Sequence, residues 1–239
     1  MSEGTSPHLS AQPDCSHLRE VQSRLSAALA RAGRPLSSAR LIAVSKTVSS
    51  DRVREAFVCG QRAFGESYVQ EASVKQEALA DLPIEWHFIG PLQSNKTRPV
   101  AERFAWVHGI DRARIAERLG AQRPAGMEPL NVCLQVNIDR EASKSGVLPE
   151  DVDALAHAVA VLPGLRLRGL MAIPRPTDDP TAQRDSFRRV HELFEALRAR
   201  GLPLDTLSMG MSGDLEAAIM EGATLVRVGT SLFGARPKS

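Results

Sequence analysis

Residues 41–89 read LIAVSKTVSSDRVREAFVCGQRAFGESYVQEASVKQEALADLPIEWHFI. The apolar run Leu41-Ile42-Ala43-Val44 ends in Ser45-Lys46-Thr47, and a helix-like stretch follows from Ser50 to Cys59, with Ser50 or Asp51 able to cap it. The same pattern then recurs, with Arg62–Phe64 as a strand, Ser67–Ala80 as a helix and Ile84–Ile89 as the next strand. A short apolar strand followed by an amphipathic helix is the signature of a parallel βα unit.

Working outward, Ser16–Ala32 puts Leu18, Val21, Leu25, Ala28 and Leu29 on one face at helical spacing, and Gly33 ends it. Downstream, helix Ser94–Phe104, strand Ala105–His108 and helix Arg112–Arg123 continue the alternation. Strand Leu130–Ile138 pairs with helix Pro149–Val161, Leu165–Ala172 with Thr181–Arg200, and Asp205–Ser208 with Ser212–Glu221, before a last strand at Thr224–Val228. Eight strands fit a single-domain (β/α)8 TIM barrel over residues 16–236, with a doubly wound sheet as the alternative. Residues 1–15, polar and proline-containing, are expected to be a disordered leading segment.

Composition narrows the function. Thirty basic and 28 acidic residues are interspersed, and 4% of the chain is aromatic, so neither a basic footprint nor a stacking platform for nucleic acid is present. No apolar stretch has the length of a membrane span or a signal h-region, so a cytoplasmic protein without membrane attachment is expected. Cys15, Cys59 and Cys133 are too few and too scattered for a zinc site or a disulfide scaffold, and free thiols in a reducing cytoplasm suit them. The scarcity of aromatic residues also speaks against a large obligate interface, so a monomer is expected.

In a barrel of this kind, chemistry gathers where strands end. Lys46 occupies that place on the first strand, where desolvation can make an amine nucleophilic toward a carbonyl, although an isolated lysine is more often a solvated side chain. Two glycine- and hydroxyl-rich turns, Ser208-Met209-Gly210-Met211-Ser212-Gly213 and Gly229-Thr230-Ser231, follow the last two strands, where barrels usually bind phosphate. A helix starting near Ser212 would add its positive end. Arg227 alternates with Val226 and Val228, which allows its side chain to enter the barrel, where it would be a permanent donor to an acceptor such as a pyridine nitrogen; a solvent-facing or ion-paired arginine is the alternative. Together these features suit an aldehyde with a phosphate handle, such as pyridoxal 5′-phosphate. His87 reads either as an acid–base group or as a hydrogen-bonded core histidine, and Gln93, Asn95 and Lys96 as a rim loop. Met171 is expected to pack against a ligand ring, and Lys144 is a second rim lysine.

The motifs AVSKT (43–47), WHFIGPLQSNK (86–96), SKSG (143–146), RGLMAI (168–173), SMGMSGD (208–214) and VRVGTSLFGAR (226–236) occur in order. With them the chain resembles the pyridoxal phosphate homeostasis protein family, also called YggS or PROSC, whose fold is related to the alanine racemase barrel. The resemblance implies a PLP fold type III barrel in which Lys46 forms the internal aldimine, Ser212, Gly229 and Thr230 hold the phosphate, and Arg227 faces the ring nitrogen. It also implies a cofactor holder without robust catalysis, handing pyridoxal phosphate to apo-enzymes. Ser67 departs from the family's usual asparagine in GENYVQE. The rival readings are a racemase-like enzyme, for which the chain offers only Tyr68 as a tyrosine base, and a lysine-dependent aldolase acting on a phosphorylated sugar.

Overall fold

The computed structural model describes residues 13–234. Eight strands form one closed parallel barrel: β1 (Arg40–Val44), β2 (Ala63–Glu66), β3 (Glu85–Phe88), β4 (Trp106–Ile110), β5 (Leu130–Val136), β6 (Leu165–Ala172), β7 (Thr206–Ser208) and β8 (Leu225–Val228). Closure is made by β8 lying parallel to β1, with Ile42 opposite Arg227 and Ala43 opposite Val228. The barrel alternative is thus realised, and no edge strand is left.

Side-chain alternation sorts the strands into two cores. Ile42, Ala63, Trp106, Cys133, Met171 and Leu225 form a small cluster inside the barrel. Leu41, Ala43, Val226 and Val228 belong to the larger cluster shared with the surrounding helices. Those helices are α1 (Ser16–Arg31), α2 (Ser50–Val58), α3 (Val69–Ala78), α4 (Thr97–Arg103), α5 (Ala113–Gln122), α6 (Val152–Ala160), α7 (Pro180–Ala199), α8 (Leu215–Met220) and α9 (Thr230–Phe233). Each buried position of α1, namely Leu18, Val21, Leu25, Ala28 and Leu29, is one that the spacing predicts.

Three expectations change. The helix expected from Ser212 begins at Leu215, because the Asp214 carboxylate turns back to accept the Met211 N–H and closes a turn first. Cys15 and Cys59, expected as free thiols, form a disulfide. They stand at the N-cap of α1 and the C-cap of α2, and a separation of 44 residues says nothing about distance across the helical layer. Cys133 alone remains free, buried inside the barrel, and its burial pushes the thiol up to about 12. The third change is α9, a short helix directly after Gly229 where the sequence predicts only a glycine- and hydroxyl-rich turn. Most of the leading segment expected to be disordered, and the end of the motif at 226–236, lie outside the described residues.

Candidate functional site

Lys46 stands two residues past Val44, the end of β1, and both of its neighbours are pinned. Ser45 is buried, donates its hydroxyl to Glu66 Oε1 at 2.6 Å and offers its carbonyl to Lys75 Nζ at 2.5 Å. Thr47 has φ +64°, a conformation costly for a β-branched residue by about 1–3 kcal/mol. Its N–H donates to Glu71 Oε1 at 2.5 Å, and Glu71 in turn pairs with Lys75 at 2.6 Å. Lys75 thereby has three acceptors, Ser45 O, Glu66 and Glu71, for its three N–H groups. Burial raises the Glu66 carboxyl above its ordinary range while Lys75 opposes that shift, and Glu66 Oε2 has no partner. Ser49 then caps α2 by accepting the Arg52 N–H.

A cavity of about 220 Å³ opens beside this turn, lined among others by Lys46, Thr47, Arg52, Gly229 and Thr230. A side chain at position 229 would stand 3.1 Å from the Val44 carbonyl, so glycine there keeps the strand ends close. Gly229 caps α9, whose first N–H groups have no partner within the helix. Lys46, Gly229 and Thr230 are therefore brought together. The other predicted residues lie apart from that cavity. Gly210 adopts φ +92°, and its carbonyl receives the Arg227 backbone N–H, joining the β7 turn to β8. Ser212 sits in the loop before α8, where its carbonyl accepts from Arg24, which also holds Glu216. Met171 is sealed inside the barrel.

Arg227 enters the barrel as its alternation predicts and is 4% exposed. Nη1 donates to Ser208 O and Oγ, and Nη2 to Ala172 O, which uses three of five N–H groups. Burial lowers its pKa to about 10, and the guanidinium stays charged at neutral pH. Ser208 Oγ meets His108 Nδ1 at 2.7 Å, His108 Nε2 meets His87 Nδ1 at 3.0 Å, and His87 Nε2 meets Glu85 Oε1 at 2.7 Å. His87 is thus the hydrogen-bonded core histidine of the two readings, stacked on Trp106 with ring centroids 5.5 Å apart. Sequence reasoning missed His108, Glu71 and Lys75, and it read Ser208 as part of a phosphate turn where the structure bonds it to His108 and Arg227. The signal for Ser208 and His108 was their inward phase on β7 and β4. Elsewhere, Lys144 ties its loop to the carbonyls of Ile173 and Pro174 and to Glu141. Tyr68 is 59% exposed at the N-cap of α3.

The model of the alanine racemase N-terminal domain matches residues 16–237. The pyridoxal phosphate homeostasis protein of Pseudomonas aeruginosa is 61% identical over 220 residues, covering 92% of this chain and 94% of that protein. Its Escherichia coli K12 counterpart is 52% identical over 230 residues, covering 95% and 98%. The chain belongs to the pyridoxal phosphate homeostasis protein family. Among solved structures, PipY of Synechococcus elongatus with PLP bound is 39% identical, covers 88% of this chain and all of its own, and superposes with a TM-score of 0.77.

In this member of the pyridoxal phosphate homeostasis protein family, Glu66 and Glu71 of the segment 65–71 form with Lys75 the clamp around the Lys46 turn. Ser67, the departure from the family pattern, contributes its backbone: Gly90 packs so closely on the Ser67 carbonyl that a Cβ at Gly90 would stand 2.4 Å from it. Among the described residues no His, Cys, Asp and Glu group is arranged to hold a metal ion, and no helix is long and apolar enough to cross a membrane.

Proposed function

We propose that this chain holds pyridoxal 5′-phosphate, with Lys46 as the attachment residue. Gly210, Ser212, Gly229 and Thr230 meet the phosphate, Met171 packs beneath the ring, and Arg227 donates to the ring nitrogen. The observation that carries this reading is the cavity shared by Lys46, Gly229 and Thr230, which puts an amine and a small-residue turn suited to an anion around one volume. The residues fit the group: Arg227 keeps two N–H directions beyond its protein partners, and Gly229 leaves the strand ends free of a side chain. The names of the relatives, and the PLP in PipY, support the same cofactor.

Pyridoxal phosphate, when bound, supplies an aldehyde that a lysine amine can condense with. The chain's own residues hold rather than activate. The Ser45–Thr47 turn is fixed by Lys75 and Glu71, which limits where the Lys46 amine can reach. Arg227 offers hydrogen bonds without giving up a proton, so it withholds the electron sink that an acidic partner would create. Racemisation needs a base on each face, and Tyr68 is exposed on the outer layer, which supports a holder over a racemase. In this reading residues 16–236 form the cofactor-holding domain. The protein works as a monomer in cytoplasmic PLP homeostasis, passing the cofactor to apo-enzymes.

The test is an absorption spectrum of the purified protein before and after borohydride, followed by peptide mapping. A phosphopyridoxyl mass on Lys46, lost in Lys46→Ala, is the expected result. A protein that takes up no added pyridoxal phosphate, or a Lys46→Ala variant that still carries the reducible adduct in full, overturns the reading.

A further inference from the structure

The polar chain inside the barrel admits only one arrangement of its protons. At one end Arg227 can only donate. At the other, Glu85 sits at the start of β3 beside Arg40 at 3.2 Å, and its hydrogen bond from His87 holds the carboxyl down at about 2, so it only accepts. Ser208 Oγ receives an Arg227 N–H, and its single O–H then has His108 Nδ1 as partner. A proton on His108 Nδ1 would leave that O–H with no acceptor in the chain. The His108 proton is therefore on Nε2 and is donated to His87 Nδ1, whose own Nε2–H goes to Glu85. Every link has one donor and one acceptor, and both rings are neutral.

An added proton breaks this order. A second N–H on His87 would face the N–H of His108, and relieving that clash by shifting the His108 proton to Nδ1 would strand the Ser208 hydroxyl. The surroundings agree. The charged groups at the ends of the chain are Arg40, Glu85 and Arg227, while Trp106 and the un-ionised Cys133 complete the interior. Burial lowers the pKa of His87, and lowers that of His108 further.

We propose that Glu85, His87, His108 and Ser208 are positioning residues for Arg227, forming a one-way hydrogen-bond chain with both imidazoles neutral that fixes the guanidinium where it faces the ring nitrogen of the cofactor. This rests on the reading of Arg227 as the ring-nitrogen donor. The Ser208 carbonyl and hydroxyl and the Ala172 carbonyl fix three N–H groups, so the two left over have a set direction. Reversal of the chain would leave the Ser208 O–H, which shares its oxygen with Arg227, without an acceptor among these partners.

The chain is tested by ¹⁵N NMR of histidine-labelled full-length protein without added cofactor at pH 7. Both buried imidazoles are expected as neutral Nε2–H tautomers. A cationic ring, or an Nδ1–H tautomer at His87 or His108, overturns the proposal. Its link to the cofactor is tested with Ser208→Ala, which removes one hydroxyl and leaves the carbonyl anchor in place. This variant is expected to keep borohydride labelling of Lys46, to bind pyridoxal phosphate about 5-fold more weakly, and to shift the absorption maximum of the bound cofactor. An unchanged affinity together with an unchanged band overturns it. If wild-type protein binds no pyridoxal phosphate, the functional reading fails by itself, while the tautomers still decide the chain.

Discussion

The cluster of Glu66, Glu71 and Lys75 and the chain from Glu85 to Arg227 are both buried polar assemblies, yet they are built on opposite terms. The first is branched and charged: one ammonium serves two carboxylates and a carbonyl, and one carboxylate oxygen has no partner. The second is linear, neutral at its two histidines, and each of its links has one donor and one acceptor. The charged cluster clamps backbone, gripping Ser45 and Thr47 on either side of Lys46. The neutral chain fixes a side chain, Arg227, from inside the barrel. A turn held in a strained conformation needs strong fixed charges to keep it there. An arginine that must keep donors for a ligand needs partners that use up some of its N–H groups and no more.

The sharpest way to break this contrast is Lys75→Met. It removes the cation from two buried or half-buried carboxylates and should cost about 3–5 kcal/mol of stability, the usual penalty for orphaning one side of a buried pair. Urea unfolding monitored at fixed pH reads it directly. A loss below about 1 kcal/mol would mean that the cluster is not held by charge, and that the Thr47 turn rests on something else.

The neutral chain makes a pH-dependent demand. Burial lowers the folded pKa of both His87 and His108, so below the ordinary histidine value of about 6.5 the unfolded chain takes up protons that the folded one refuses. Stability is therefore complete above that pH and lost as the pH falls through it. The expected loss is at most about 1.4 kcal/mol per histidine between pH 7.5 and 5.5, and it is larger for His108 than for His87, since the His108 pKa is lowered further. Glu85 stays ionised across this window, since its carboxyl is held at about 2. Urea midpoints at those two pH values check the slope. A flat profile would place charge on the imidazoles and make the two assemblies alike.

The two assemblies also differ in how well the sequence announces them. Lys46 is legible because it stands where an apolar run stops, and Arg227 because alternation with Val226 and Val228 leaves it one direction to point. The barrel itself is legible in eight repeats of one pattern, and the glycine- and hydroxyl-rich turns in the residues that follow the last two strands. Contacts between elements are not. His87 and His108 meet because β3 and β4 pair with His87 opposite Trp106, and no local pattern states that register. Glu71 and Lys75 read as an ordinary solvated i,i+4 pair on a helix, and only contact with the turn after β1 buries Lys75 and half-buries Glu71. The late start of α8 was hidden for a related reason: Ser212 and Asp214 are both good capping residues, and the choice between them is made by the Asp214 bond to Met211. Cys15 and Cys59 likewise carry no mark of their partnership until two helix ends are placed side by side.

The smallest effect separates the parts of the charged cluster from one another. Glu66→Gln keeps an oxygen to accept from Ser45 and Lys75 and removes a charge that burial disfavours. Lys75 retains Glu71 and the Ser45 carbonyl, so no buried cation is left alone. The lost attraction and the relieved desolvation oppose each other, and the net change should stay within about 1 kcal/mol of wild type in the same urea assay. A loss as large as that of Lys75→Met would show that the Glu66 charge itself, including its unpartnered oxygen, carries the clamp. In that event the grip on Lys46 would pass through Ser45 from β2. With the expected small effect, it passes through Thr47 from Glu71 on α3.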